Sequence, residues 1–187
     1  MSRPTAAELA DATERTIPDL MGPGLDVLFV GINPGLYSSA TGLHFARPGN
    51  RFWKAIHGAG FTDRVLDPSE QDELLRAGLG ITNLVARTTA TAAELSNDEL
   101  RAGVPILIAK LERWKPRSVA FLGISTYRVG FESPKVNIGR QPIRLADSDV
   151  WVLPNPSGLN ASWQLPRLID AYRELREDGL ERVSGDG

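Results

Sequence analysis

Apolar residues along this chain fall into two periods. Residues 26–31 run Asp26-Val27-Leu28-Phe29-Val30-Gly31, a continuous β-rich stretch of the kind buried on both faces of a sheet. Residues 80–85, 117–123 and 150–153 repeat the pattern. Between them the spacing changes to three and four, as in Leu100, Val104, Leu107, Ile108, Leu111 and Trp114, and again over 165–176. Strands alternating with amphipathic helices predict an α/β domain. Its architecture is a three-layer sandwich with a central, mostly parallel sheet flanked by helices.

Capping residues and breakers set the boundaries. Thr5 and Glu8 have capping-box spacing and open a helix to about residue 15. Residues 17–24 are rich in Pro and Gly and read as a linker. The whole stretch 1–24 is therefore a helical extension and linker, the part least essential to the fold. A single catalytic domain is expected over 25–178, then a polar tail over 179–187. Residues 32–48 read as one long loop, and loops of that length are usually functional or disordered. Asn50 is placed to cap a helix over 51–57, and Ser69 a second one stopped by Gly78. Ser96-Asn97-Asp98-Glu99 is another capping box, with Pro105 expected to kink the following helix or restart it. Residues 143–145 and 150–153 pair as a hairpin about Asp147-Ser148-Asp149.

Composition narrows the chemistry. The 187 residues carry a formal net charge of −2 and no cysteine. Disulfides, thiolate zinc sites and cysteine-bound iron–sulfur clusters are excluded. The near-neutral balance argues for few phosphate contacts if a nucleic acid is bound. No run is long and apolar enough to span a bilayer, so no membrane association is expected. The two histidines, His44 and His57, show no metal-ligand spacing, and no metal or organic cofactor is implied.

Two strand-like runs end in Asn-Pro turns, Asn33-Pro34 and Asn155-Pro156. Proline keeps the preceding residue extended, so each amide projects from a stiff backbone. In parallel sheets ligands sit beyond the carboxyl ends of strands, where both turns fall. An amide can orient a water but cannot take its proton. That suits a dissociative reaction needing only a weak nucleophile, such as cleavage of an N-glycosidic bond, where fixed donors stabilise the departing base. The competing reading is that Asn33 bonds its own turn. Phe45 is a loop aromatic suited to stacking on a flat base, or to core packing. Leu159, on the Gly158-Leu159-Asn160 tip, is either a wedge for the gap left by a flipped base or a loop residue folded onto the body.

Five segments together resemble the mismatch-specific uracil-DNA and thymine-DNA glycosylase family. They are Gly31-Ile32-Asn33-Pro34-Gly35-Leu36, Thr41-Gly42-Leu43-His44-Phe45-Ala46, Pro48-Gly49-Asn50-Arg51-Phe52-Trp53-Lys54, Gly80-Ile81-Thr82-Asn83-Leu84-Val85 and Leu153-Pro154-Asn155-Pro156-Ser157-Gly158-Leu159. The resemblance implies a uracil-DNA glycosylase fold and a monofunctional repair enzyme. Such an enzyme flips uracil, thymine or a modified pyrimidine opposite guanine out of double-stranded DNA and leaves an abasic site. It implies that Asn33 positions the attacking water and Phe45 stacks on the base, with Ile32, Ser38 and Asn155 at the pocket. Gly158, Leu159 and Asn160 would meet the opposite strand. The chain departs from the family pattern at Asn160-Ala161, where many relatives carry Ser-Arg, at Asn83, where some carry Lys, and at Leu43-His44 in place of Phe-Pro.

Two further expectations complete the reading. Glu94 and Asp98 lie in a segment that, folded over the cleft, would supply a general base beside Asn33; the competing reading is helix capping and a solvated face. The protein is expected to be a cytoplasmic monomer, nucleoid-associated while acting on DNA. A catalytically silent DNA- or nucleotide-binding module and a glycosidase of free nucleosides stand as alternatives.

Overall fold

The strands that pattern alone predicts form one sheet. The computed structural model describes residues 3–185, with side chains described to residue 179. Strands β1 (Val27–Gly31), β2 (Leu79–Asn83), β3 (Ser118–Leu122), β4 (Gly139–Leu145) and β5 (Ser148–Leu153) lie in the order β2-β1-β3-β5-β4. The β1–β2, β1–β3 and β3–β5 pairs are parallel, and only β4 runs antiparallel, against β5. The β4–β5 hairpin turns on Ala146 and Asp147, both at positive φ (45° and 67°), as a tight turn between right-twisted strands requires.

Alternation along each strand builds two cores. Phe29, Ile81, Leu122 and Trp151 face helices α3 (Phe52–Gly58), α4 (Glu73–Arg76) and α7 (Leu165–Gly185), joined there by Phe52, Ile56 and Tyr172. Leu28, Val30, Phe121, Val150 and Val152 face α5 (Asn97–Trp114) and α6 (Ile124–Gly130), joined by Leu107, Leu111 and Tyr127. Helices thus cover both faces of a largely parallel sheet, the predicted three-layer α/β arrangement. After β1 the chain passes to β2 on one side, then returns to β3 on the other. The strand order reverses between β1 and β3, where such sheets open a crevice at their carboxyl ends.

Several boundaries differ from expectation for local reasons. The stretch 32–48 is not all loop: it holds a short helix α2 (Leu36–Thr41), ended by Gly42 at φ 71°. Asp67, not Ser69, caps the turn before α4, accepting from the Ser69 amide. Pro105 neither ends nor restarts α5, which runs unbroken through it. The predicted tail is helical through Gly185, while Asp186 and Gly187 lie outside the described residues.

The largest revision concerns the leading segment. Thr5 and Glu8 do form their capping box, and the first helix α1 (Ala6–Asp11) follows. The 17–24 stretch read as a linker pairs with the sheet. Leu20 exchanges two backbone hydrogen bonds with Ile81 of β2 (2.9 and 2.8 Å) and is buried. Asp19 accepts from Thr82 Oγ1 (2.6 Å) and pairs with Lys110 of α5 (2.6 Å). The Gly- and Pro-rich composition gave no sign of these pairings, because their partners lie some 60 to 90 residues away in the sequence.

Candidate active site

Beyond the carboxyl ends of β1, β2 and β3 lies a cavity of about 240 Å³. Its walls include Asn33, Phe45, Asn83, Thr89, Asn155 and Leu159. Both Asn-Pro turns reach it, because β1 and β5 flank β3 on either side.

The orientation of Asn33 is settled by its partners. Its Nδ2 donates to the Arg87 carbonyl (3.0 Å) and to Thr89 Oγ1 (2.7 Å). A carbonyl only accepts, so the group facing Arg87 O must be the NH₂. With both amide hydrogens engaged, Oδ1 is the atom left to accept from a ligand. Asn33 therefore does not bond its own turn. It reaches across to the segment after β2, itself tied to the first turn by the Thr89 amide donating to Pro34 O (3.2 Å).

Phe45 stands at positive φ (52°), with one face stacked on Phe52 at 4.2 Å between centroids. Its ring edge approaches Gly31: a Cβ there would lie 3.6 Å from Phe45 Cζ and 2.5 Å from Asn83 Oδ1. Gly31 thus lets the Asn83 amide lie against the β1 backbone at the cavity floor. Ser38 lines the cavity and accepts from the Ala46 amide (3.3 Å). Ser39 and Ala40 are carried off the wall by the pitch of α2.

The second turn is built differently. Asn155 Oδ1 accepts from the Ser157 amide (2.8 Å), the self-bonded Asx arrangement. Asn155 lines both the cavity and a neighbouring cleft, as do Ile32 and Leu159, while Asn160 lines only that cleft. Leu159 is 75 % exposed at the boundary between them. Gly158 lies against the Gly49 backbone, where a Cβ would come within 2.6 Å of Gly49 O. Arg51 fastens this loop from α3. Its guanidinium donates to the carbonyls of Pro156 (3.3 Å), Asn160 (3.0 Å), Ser157 and Trp163, and its own amide donates to Pro156 O (3.0 Å).

His44 lines the cavity while 2 % exposed. Its Nε2 faces the Pro18 carbonyl at 3.0 Å, so that nitrogen carries the proton. Burial holds the imidazole pKa below its ordinary value, against the opposing pull of Pro18 O and Asp19. Among the described residues, no aspartate or glutamate lines the cavity. Glu94 and Asp98 both lie outside the lining, in the capping and solvated roles that compete with a base. Glu94 accepts from the Thr91 amide (2.7 Å) in a capping box, and Asp98 pairs with Arg101 while its side chain is 94 % exposed. Glu99 is held down to about 2, first by Arg87 and then by the Ser96 amide, and so serves as cap and ion pair.

The sequence brought out Asn33, Phe45 and Leu159, and marked Asn83 and His44 as departures from the family pattern, but missed Thr89, Ile17 and Arg51 as parts of the site. Asn83 carried a further signal, an amide at a strand's carboxyl end. The three missed residues are recruited by tertiary contacts alone.

The Uracil DNA glycosylase superfamily model matches residues 18–176. The chain is also similar to the solution NMR structure of a candidate uracil DNA glycosylase from Methanosarcina acetivorans. That match has a TM-score of 0.59 and 18 % identity, covering 87 % of this chain and 98 % of the other. At that identity the likeness concerns the fold.

Proposed function

This chain belongs to the uracil DNA glycosylase superfamily, and from that premise we propose that it excises uracil opposite guanine from double-stranded DNA, leaving an abasic site. Thymine and modified pyrimidines are further candidate substrates. The observation that carries the reading is the anchored amide of Asn33, whose Oδ1 alone is left to hold a water.

In this reading the target base leaves the stack and enters the cavity. One face of Phe45 is backed by Phe52, and the base stacks on the other. The Asn83 amide offers a donor and an acceptor to the polar edge of the pyrimidine. Ser38 borders the pocket and limits the size of a substituent. The C1′–N1 bond breaks with its electron pair leaving on the base. Water held by Asn33 adds to the oxocarbenium carbon, and its proton passes to the released anion or to solvent. Among the described residues no carboxylate lines the cavity, which is acceptable when bond cleavage runs ahead of water attack. Leu159 enters the space vacated by the flipped nucleotide, with Gly158 and Asn160 beside the opposite strand.

The test is incubation with duplexes carrying a single G·U, G·T or A·U pair, followed by alkaline cleavage of abasic sites. Strand breaks at G·U are expected, and Leu159→Ala should weaken excision from duplex more than from single strands. Duplex binding without strand breaks would overturn the enzyme reading. Equal activity on free deoxyuridine would overturn the DNA substrate.

A further inference from the structure

Residues 12–20 bring Ile17 to the cavity wall, and the backbone contacts of Glu14 and Arg15 reach the segment that holds Asn33. Ala12 is fully buried. The Glu14 amide donates to Thr88 O (3.2 Å), and the Thr88 amide donates to Arg15 O (2.9 Å). On its other flank the Thr89 amide donates to Pro34 O (3.2 Å), within a parallel bridge between Gly35 and Thr89. Thr88 and Thr89, both buried, therefore form a rung between the leading segment and the first Asn-Pro turn. That rung, with Arg87, supplies both acceptors for Asn33 Nδ2. Three residues on, Ile17 lines the cavity and Pro18 O receives the His44 imidazole.

We propose that residues 12–20 form a working wall of the active site, in which Ile17 bounds the flipped base and the Glu14–Arg15 backbone positions Asn33 through residues 87–89. The proposal rests on the roles given above to Asn33 and the cavity. The Glu14–Arg87 ion pair (3.0 Å) is a minor part of the bracing, because its side chains are 64 % and 28 % exposed and such pairs contribute little. The two backbone bonds made by buried Thr88 carry it. An unpaired backbone group there would cost more than the exposed pair returns. Ile17 is a specificity-determining contact that also keeps water off one side of the base. The segment around Thr88 is a positioning element that acts only through Asn33.

The experiment is single-turnover excision from a G·U duplex, with affinity measured separately on a duplex carrying a non-cleavable nucleotide. Ile17→Ala should slow excision about tenfold while affinity changes less than about twofold, and Ile17→Val should restore the rate. Ala12→Asp, which lifts the segment, should slow the wild-type background more than the Asn33→Ala background, where only the Ile17 contact is left to lose. Circular dichroism checks that each variant is folded. If Ala12→Asp does not fold, the Ile17 pair decides. Wild-type excision by Ile17→Ala, or an equal loss from Ala12→Asp in both backgrounds, overturns the proposal. Wild-type excision by Asn33→Ala would instead overturn the reading of Asn33, so the two failures are distinct.

Discussion

Asn33 and Asn155 sit in the same Asn-Pro context but direct their amides oppositely. Asn33 donates outward, to Thr89 Oγ1 at 2.7 Å and Arg87 O at 3.0 Å, which leaves its oxygen for a ligand. Asn155 turns its oxygen inward, to the Ser157 amide at 2.8 Å, which shapes its own loop. One amide leaves its oxygen to the cavity, and the other commits it to its own loop.

This difference predicts unequal effects of substitution. Asn33→Ala should slow single-turnover excision of uracil about a hundredfold, the scale of a lost positioning contact. Thr89→Val keeps the shape of the buried residue but removes one of the two anchors, so it should fall between wild type and Asn33→Ala. Rates measured by quenched-flow or manual sampling on a G·U duplex check the order. A Thr89→Val enzyme at full rate would show that the anchor is dispensable.

Arg51 should matter for both stability and duplex activity. Its planar fork meets four carbonyls of the 156–163 loop, and an ammonium cannot reproduce that geometry. Arg51→Ala should destabilise the fold by about 2–4 kcal/mol in urea denaturation, since partly buried carbonyls lose charged donors. Arg51→Lys should recover little of this, and in both variants excision from duplex should suffer more than excision from single strands.

Gly31→Ala tests the cavity floor. The added methyl would sit 2.5 Å from Asn83 Oδ1, so the amide must move. Uracil excision should fall about tenfold, measured as kcat/KM, because the pocket then presents a displaced polar group. In an Asn83→Ala background the same methyl has nothing to displace, and the further loss should vanish. Equal losses in both backgrounds would place the effect elsewhere.

His44 should make stability depend on pH. Its folded pKa lies below the ordinary 6.5, through burial, so the unfolded chain takes up the proton first. Its contribution is complete above about pH 6.5 and declines as pH falls through that value, by at most about 1.4 kcal/mol per pH unit. Urea midpoints between pH 7.5 and 5 should show the decline, and His44→Gln should flatten it. The lowered carboxylates Glu8, Asp67, Glu70 and Glu99 act at lower pH, from about 4.5 downward, leaving this window to the imidazole.

Much of the sandwich was legible because its signals are local. Val27 to Val30 must be buried on both faces wherever they sit, and Thr5 or Ser96 caps whatever helix follows it. Asn33 was legible for the same reason, since proline holds it extended and its amide must project. Less local features were misread. The cap at Asp67 replaced Ser69 because a 3-10 turn, Pro68–Glu70, precedes α4. For Glu94 and Asp98 the sequence left a base and a capping or solvated role both open, and the cap of Glu94 and the exposed ion pair of Asp98 are what the fold adds.

The sequence by itself determined the layered α/β class, the two Asn-Pro turns at strand ends, and the family likeness that joins them. Short-range sterics and hydrophobic period suffice for these. Tertiary structure alone decided which amide faces the cavity, that Arg51 holds the wedge loop, and that residues 12–20 brace the site. Each of these depends on backbone carbonyls and amides, which every residue carries and no sequence pattern marks. Only the folded chain shows which of them are brought within hydrogen-bonding distance.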